Sequence, residues 1–182
     1  LSVTDFDKKG NFKIERFIAA HTIMFSLEGI PGIYFNSLFG TQNDISKYNI
    51  TKRNRDLNRY KWDFFNLQKK LNKKNSKEKY IFDELMRLLE IRKKQPAFHP
   101  NATQYTLSLG KKTYVLWRQS KDKRQSIFSV TNVSSKNIEF NPNKLNLIKN
   151  EKWRDLLNPK IKINVKQKII LKPFETLWIS NN

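Results

Sequence analysis

Cysteine is absent from this 182-residue chain. That excludes disulfides and thiolate metal sites, and it makes a reducing compartment, the cytoplasm, the expected setting. Histidine occurs twice, as His21 and His99, which gives no metal constellation. Glycine occurs five times, and no Gly-rich phosphate loop can be traced. Nor is there a Ser-His-Asp arrangement with usable spacing. No cofactor is expected. No apolar run reaches about 18 residues, so neither a membrane-spanning helix nor a membrane partner is expected. The opening residues, Leu1-Ser2-Val3-Thr4-Asp5-Phe6, lack an initiator Met and the basic-then-apolar layout of a secretory signal. They are expected to follow an internal cut.

Acidic residues are also scarce, 16 against 36 Lys and Arg, leaving a net charge of +20. One reading is a basic surface that tracks a phosphate backbone or draws in anionic ligands. The other is coding bias, because Lys, Asn and Ile are all abundant. The Lys residues are scattered, with small clusters at Lys69-Lys70, Lys73-Lys74 and Lys111-Lys112. That scatter favours solvated faces over a built anion site. The 38% hydrophobic and 13% aromatic content supports a packed core and argues against disorder.

Residues 1–10 read as an irregular lead-in. Asn11 is an expected N-cap for a helix from about Phe12 to Glu28, with Ile14, Phe17, Ile18, His21 and Phe25 on one face. Gly29 suits the left-handed position that ends such a helix, and Pro31 forbids its continuation. Ile33, Tyr34 and Phe35 read as a short strand buried on both faces. From Asn36 to about Lys61 the chain is polar and punctuated, and reads as a long loop. Trp62, Phe64, Phe65 and Leu67 are expected to dock before a solvated Lys/Asn-rich stretch at 69–77. A second helix is predicted over Lys77 to Lys94, with Ser76 as cap and Arg92, Lys93 and Lys94 complementing its dipole. Pro96 stops it, and the period then changes to alternation. Strands are expected at 102–109, 112–119 and 124–133, then near 136–140, 161–165, 167–171 and 174–180.

Several stretches resemble one family. Leu27-Glu28-Gly29-Ile30-Pro31-Gly32-Ile33-Tyr34-Phe35 is similar to the final barrel strand of glycoside hydrolase family 13. Gly40-Thr41-Gln42-Asn43-Asp44 and Arg55-Asp56-Leu57-Asn58-Arg59 resemble the loop after that strand in the sucrose-phosphorylase-like subgroup. Ile91-Arg92-Lys93-Lys94-Gln95-Pro96-Ala97-Phe98 resembles the end of the last barrel helix, and 99–104 the entry to a C-terminal β domain. The resemblance implies an α/β fold: the last helix-strand-helix portion of a (β/α)8 TIM barrel over 1–96, its eighth strand at about 31–35. A small antiparallel all-β domain over 97–182 would follow.

The resemblance also implies a sugar phosphorylase, a glycosyltransferase. It would move a glucosyl group from sucrose or a related α-glucoside to inorganic phosphate by double displacement, giving α-glucose 1-phosphate. In the family, the nucleophile Asp, the acid/base Glu and a stabilising Asp follow strands four, five and seven. No catalytic residue is matched in this chain, since residue 1 is expected to lie past strand seven. The missing N-terminal barrel portion is therefore an expected partner, and the fragment alone should be inactive. Glu15, Glu28, Asp83 and Glu84 sit on predicted helices and form no candidate pair.

For substrate binding, Arg55 matches the family arginine that closes the glucosyl subsite, a task suited to a guanidinium fork. Asn43 and Asp44 match the loop, although Asn-Asp is also common turn chemistry. Arg59 and Asn58 could touch ligand or brace the loop. His21 reads as a packed core residue and His99 as structural. Trp117, Trp153 and Trp178 read as core before a sugar-stacking platform. Two other functions compete: a non-catalytic basic protein that binds nucleic acid or polysaccharide, and another family 13 hydrolase of α-glucosidase or amylase type. No nucleic-acid motif is visible, so no nucleic-acid partner is expected. Within the subgroup, the 36–41 and 97–100 stretches look closer to the glucosylglycerate-type members than to the sucrose enzymes.

Overall fold

The computed structural model describes residues 11–145, 147, 151–160 and 162–181. The lead-in expected over 1–10 lies outside them. In chain order the helices are α1 (Lys13–Ser26), α2 (Ile45–Thr51), α3 (Asn54–Leu57), α4 (Phe64–Asn72) and α5 (Lys77–Lys93). The strands are β1 (Thr103–Leu107), β2 (Thr113–Gln119), β3 (Ser126–Asn132), β4 (Ile138–Phe140), β5 (Arg154–Asp155), β6 (Ile169–Leu171) and β7 (Thr176–Ser180). Compactness divides the chain into two units, Leu1–Ile18 with Gly32–Arg87 and Ala19–Pro31 with Leu88–Asn182. These limits differ from a division at residue 96. The second half of α1 and the end of α5 are fastened to the β sheet by side chains described below.

In the first unit, α1 starts after Phe12 rather than at a cap on Asn11. Phe12 lies in the left-handed region (φ 57), and its carbonyl accepts from Arg16 N at 2.8 Å. Helix α5 starts as expected, with Ser76 Oγ accepting from Lys79 N at 3.1 Å. Residues 30–34 carry no regular secondary structure, and Phe35–Phe39 forms a 3-10 helix. The short strand expected at about 31–35 thus has no strand partner among the described residues. Tyr34 keeps an extended backbone (φ −69, ψ 137), but a strand exists only through ladder hydrogen bonds to a neighbour. The expected long loop is not irregular either, since it contains α2 and α3. Few apolar side chains are buried here: Phe17, Phe39, Ile81 and Leu85. Helix α4 buries none of its residues, and Phe64 and Phe65 are 69% and 76% exposed.

The second unit holds a five-stranded sheet in the order β1-β2-β3-β7-β5, every pair antiparallel. Strands β4 and β6 form a separate antiparallel pair. The three longest expected strands appear as β1, β2 and β3 in register, with Trp117 opposite Phe128 and Leu116 opposite Ser129. The strand expected at 161–165 does not form. Lys162 makes one isolated bridge to Arg154, and residue 161 lies outside the described set.

Alternation assigns the sheet two faces. Val115, Phe128, Val130, Leu177 and Ile179 face a core closed by Phe140, Trp153, Ile163 and Leu171. On the other face Leu116, Arg118, Ile127, Ser129 and Trp178 are also buried. The last turn of α1 covers part of this face. Trp178 Nε1 donates to Ser26 Oγ at 2.9 Å, and Ser129 Oγ lies 2.9 Å from the same oxygen. Ser26 Oγ donates its own proton to Thr22 O at 2.7 Å. One hydroxyl proton is available, so Ser129 must be the donor in its bond to Ser26.

Two buried guanidinium groups complete this layer. A helix end leaves carbonyls without intrahelical partners. Arg118 Nη1 donates to Ser26 O at 3.0 Å, Nη2 to His99 O at 2.8 Å and Ala102 O at 3.4 Å, and Nε to Thr103 O at 3.3 Å. Arg92 donates to Phe25 O, to Leu27 O at 3.2 Å and to Gly29 O at 2.9 Å. Gly29 adopts the expected positive φ of 83°, and its N–H donates to Pro100 O at 3.1 Å. Arg92 thus serves the end of α1 while standing, as expected, with Lys93 in the last turn of its own helix. The Phe98 ring lies close to both cations, 5.4 Å from Arg92 Cζ and 5.9 Å from Arg118 Cζ, with the Trp178 ring at 4.7 Å. Burial pushes the Arg118 guanidinium down to about 10, and the neighbouring Arg92 adds to the shift while Glu28 opposes it. It therefore stays charged at neutral pH.

Arg118→Met removes the donors of Ser26, His99, Ala102 and Thr103 carbonyls without removing their burial. It should destabilise the chain by about 3 kcal/mol or more, read as a lower urea midpoint. Arg118→Lys, which keeps the charge and loses the fork, should recover part of the loss. An unchanged midpoint in the Met variant would contradict this role.

Candidate functional site

The segment from Asn36 to Trp62 is closed by bonds between residues far apart in sequence. The 3-10 helix Phe35–Phe39 ends at Gly40, whose left-handed backbone (φ 55, ψ 38) a side chain would strain. Asn36 is buried and donates Nδ2 to Tyr60 O at 3.0 Å and to Asn58 O at 3.4 Å. Trp62 Nε1 donates to Thr41 Oγ1 at 2.9 Å, and Asp44 N donates to Leu57 O at 2.7 Å. Around the base, Phe39 meets Phe82 in a stacked pair at 5.6 Å and Trp62 edge-on at 6.4 Å.

Within this frame Asp44 caps α2, accepting from Lys47 N at 2.9 Å. Inside the Arg-Asp-Leu-Asn-Arg cluster the side chains part ways. Asp56 is buried and accepts from Arg53 Nε at 3.0 Å, with Lys47 Nζ at 3.7 Å. A hydrogen bond from the Thr51 side chain, with the Arg53 and Lys47 charges, holds its carboxyl below the usual range against a smaller burial penalty. Arg55, Asn58 and Arg59 are exposed. Arg55 makes no ion pair among the described residues.

A cavity of about 300 Å³ opens beside the loop, walled by Gln42, Asn43, Asp44, Tyr60 and Trp62 among others. The structure therefore gathers Asn43 and Asp44 at one cavity, whereas Arg55 and Arg59 are not among its lining residues. Tyr60 and Trp62, which pack edge to face at 5.1 Å, were not singled out from the sequence as site residues. Their signal is a pair of aromatics two apart directly after the Arg-Asp-Leu-Asn-Arg cluster. Asp56 was legible only as part of that cluster, and its burial as the anchor of α3 was not.

The remaining candidates settle into structural places. Trp178 and Trp153 are core residues, and Trp117 is half-buried. His21 packs edge-on against Phe25 at 6.3 Å, and His99 Nδ1 accepts from Asn101 N at 3.1 Å. Asp83 pairs with Lys79 at 2.8 Å and Glu84 with Arg87 at 2.6 Å, both along the surface of α5. Among the described residues no cluster of three His, Cys, Asp or Glu side chains could hold a metal ion. Among them too, no helix is long and apolar enough to cross a membrane.

No family model matches the chain. It is 40% identical over 107 residues to the glucosylglycerate phosphorylase of Allomeiothermus silvanus, a match covering 59% of this chain and 19% of that protein. It is 30% identical over 164 residues to the glucosylglycerate phosphorylase of Escherichia coli, covering 90% of this chain and 28% of that protein. The chain therefore spans well under a third of the length of these relatives. Among solved structures, the trehalose-6-phosphate hydrolase of Bacillus licheniformis superposes with a TM-score of 0.71 at 18% identity, covering 98% of this chain and 40% of that one. At that identity the likeness speaks for the fold alone: a partial (β/α)8 barrel followed by a small antiparallel sheet.

The lowered pKa of Asp56 fixes a pH dependence. Its contribution to the packing of α2 on α3 is present above the unfolded carboxyl value of about 3.9. It is lost as pH falls through the still lower folded value. Amide exchange over residues 45–57 should stay protected down to about pH 4 and rise below it. Asp56→Asn should weaken protection already at neutral pH and abolish the acid step. An acid step that survives in the Asn variant would contradict the assignment.

Proposed function

Because this chain belongs to the glycoside hydrolase family 13 superfamily, we propose that it is the C-terminal part of a retaining α-glucoside phosphorylase in that family. The observation that carries the proposal is the similarity over 90% of this chain to a glucosylglycerate phosphorylase. In this reading residues 1–96 complete a (β/α)8 barrel, with its eighth strand at about 31–35, and 97–182 form the β domain after it. The intact enzyme transfers a glucosyl group from an α-glucoside to inorganic phosphate in the cytoplasm, releasing α-glucose 1-phosphate. The names of the relatives make glucosylglycerate the favoured α-glucoside, with sucrose and its 6-phosphate as alternatives.

The chemistry of this class takes two carboxyl groups about 5–5.5 Å apart, one as nucleophile and one as acid/base. Asp83 and Glu84 are engaged along α5, and Glu15 and Glu28 are exposed. This reading assigns the catalytic carboxyls to the barrel portion outside this chain. What this chain contributes is the mouth. Arg55, exposed on α3, is assigned to the sugar hydroxyls, where its fork also suits a carboxylate from the missing portion. Asn43 and Asp44 border the cavity of about 300 Å³, with Asp44 keeping its capping bond, and Arg59 is assigned to the same mouth. Exposed apolar side chains also fit a removed neighbour. Ile30, Tyr34, Phe35, Ile50, Phe64 and Phe65 are each more than half exposed, which is costly unless another surface covers them.

The test is an assay of the enzyme with its barrel complete. Glucosylglycerate with phosphate should yield α-glucose 1-phosphate, and Arg55→Ala should lower kcat/KM at least about tenfold. The 182-residue chain alone should give no product. Release of free glucose independent of phosphate would replace the phosphorylase reading with a hydrolase. Turnover by the chain alone would overturn the assignment of catalysis to the missing portion.

A further inference from the structure

Helix α3 is a single turn, Asn54–Leu57, with no side-chain cap at its start. One turn fixes its dihedrals for almost no internal hydrogen bonding and does not persist unaided. Of its four side chains only that of Asp56 is buried. The Asp56 carboxyl meets groups from two directions. Oδ2 accepts from Arg53 Nε at 3.0 Å, just ahead of the turn, and Oδ1 lies 3.7 Å from Lys47 Nζ. The Thr51 side chain is a third partner. Lys47 and Thr51 stand four residues apart in α2 and so share one face of it. A main-chain bond, from Asp44 N to Leu57 O at 2.7 Å, also ties the turn to the chain that starts α2.

The same carboxyl bears on Arg55. Residues 47–59 carry Lys47, Lys52, Arg53, Arg55 and Arg59 against a single acid, Asp56. Asp56 engages Lys47 and Arg53. Successive residues of a helix point about 100° apart, and adjacent ones do not face each other. With Asp56 turned into the protein, Arg55 is turned out, exposed and without an ion pair among the described residues. The direction in which Arg55 leaves the backbone is thus set by the buried carboxyl next to it in sequence.

We propose that Asp56 is a positioning residue: by holding α3 against α2 it presents the Arg55 guanidinium to the sugar already oriented. This role rests on the assignment of Arg55 to the sugar hydroxyls made above. Asp56 itself touches no ligand and acts through Arg55. A guanidinium carried on a loose turn has to be ordered each time substrate binds, and that ordering is lost from transition-state stabilisation. Loss of Asp56 therefore removes the benefit of Arg55 and adds no separate loss of its own.

A double-mutant cycle in the enzyme with its barrel complete, given glucosylglycerate and phosphate, provides the test. Total glucose released, free or as the 1-phosphate, is followed, so the readout serves a phosphorylase and a hydrolase alike. Asp56→Asn should lower kcat/KM at least about fivefold, and Arg55→Ala at least about tenfold. The double variant should match Arg55→Ala to within about twofold. A purely structural role would repeat the Asp56→Asn loss in full on the Arg55→Ala background. That result, or an unchanged kcat/KM in Asp56→Asn, would overturn the proposal and leave Arg55 at the sugar. An unaltered Arg55→Ala enzyme, or no glucose release at all, would instead remove the reading of Arg55 and this role with it. Should Asp56→Asn not fold, Arg53→Gln enters the same cycle, since it deletes one partner of the carboxyl from a side chain that is 65% exposed. It should lower kcat/KM about threefold, and the loss should vanish beside Arg55→Ala; a loss that persists there would overturn the proposal equally.

Discussion

The β unit hangs on two guanidinium groups that have no carboxylate partner among the described residues and bind main-chain carbonyls instead. Arg92 and Arg118 together take the carbonyls of Phe25, Ser26, Leu27 and Gly29 at the end of α1, and of His99, Ala102 and Thr103 ahead of β1. Burying a cation is expensive. Here the expense is offset by charge-assisted bonds to several dipoles and by the negative end of a helix. The Phe98 ring, near both cations, adds a further favourable contact. Removing either arginine leaves the other among acceptors it cannot all reach. The arrangement therefore fixes where α1 ends and how the chain enters the sheet.

Parts of this were legible in the sequence. Helices α1 and α5 follow from apolar spacing and, for α5, from the Ser76 cap. Strands β1, β2 and β3 follow from alternation, and the end of α1 from Gly29. Other parts were hidden for physical reasons. Helices α2 and α3 are too short to show a period, and they exist because Asp44 caps one and Asp56 anchors the other. Strand β5, at two residues, carries no pattern at all. Arg118 looks like an outward charge in a strand, and only a second layer on that face reveals it as buried. The segment at 31–35 has the composition of a buried strand, but strand pairing is a property of neighbours and cannot be read from one segment.

The candidate site shows the same division between local and long-range information. Motif likeness pointed to Asn43, Asp44, Arg55 and Arg59, and the loop that carries them is closed by Asn36, Thr41 and Trp62, whose partners lie about twenty residues away. Those bonds hold the loop in shape while leaving Arg55 and Arg59 exposed, a sensible arrangement if the sugar and a facing carboxylate arrive from elsewhere. The thin core of the first unit and its many exposed aromatics fit the same account. The β unit, by contrast, buries both faces of its central strand.

The most direct test of the account is a crystal structure of the enzyme with its barrel complete, grown with glucose. Residues 31–35 should then pair on both sides with barrel strands, and the Arg55 guanidinium should lie within hydrogen-bond distance of a glucose hydroxyl. A structure in which residues 31–35 remain unpaired and Arg55 points to solvent with the sugar bound would contradict it.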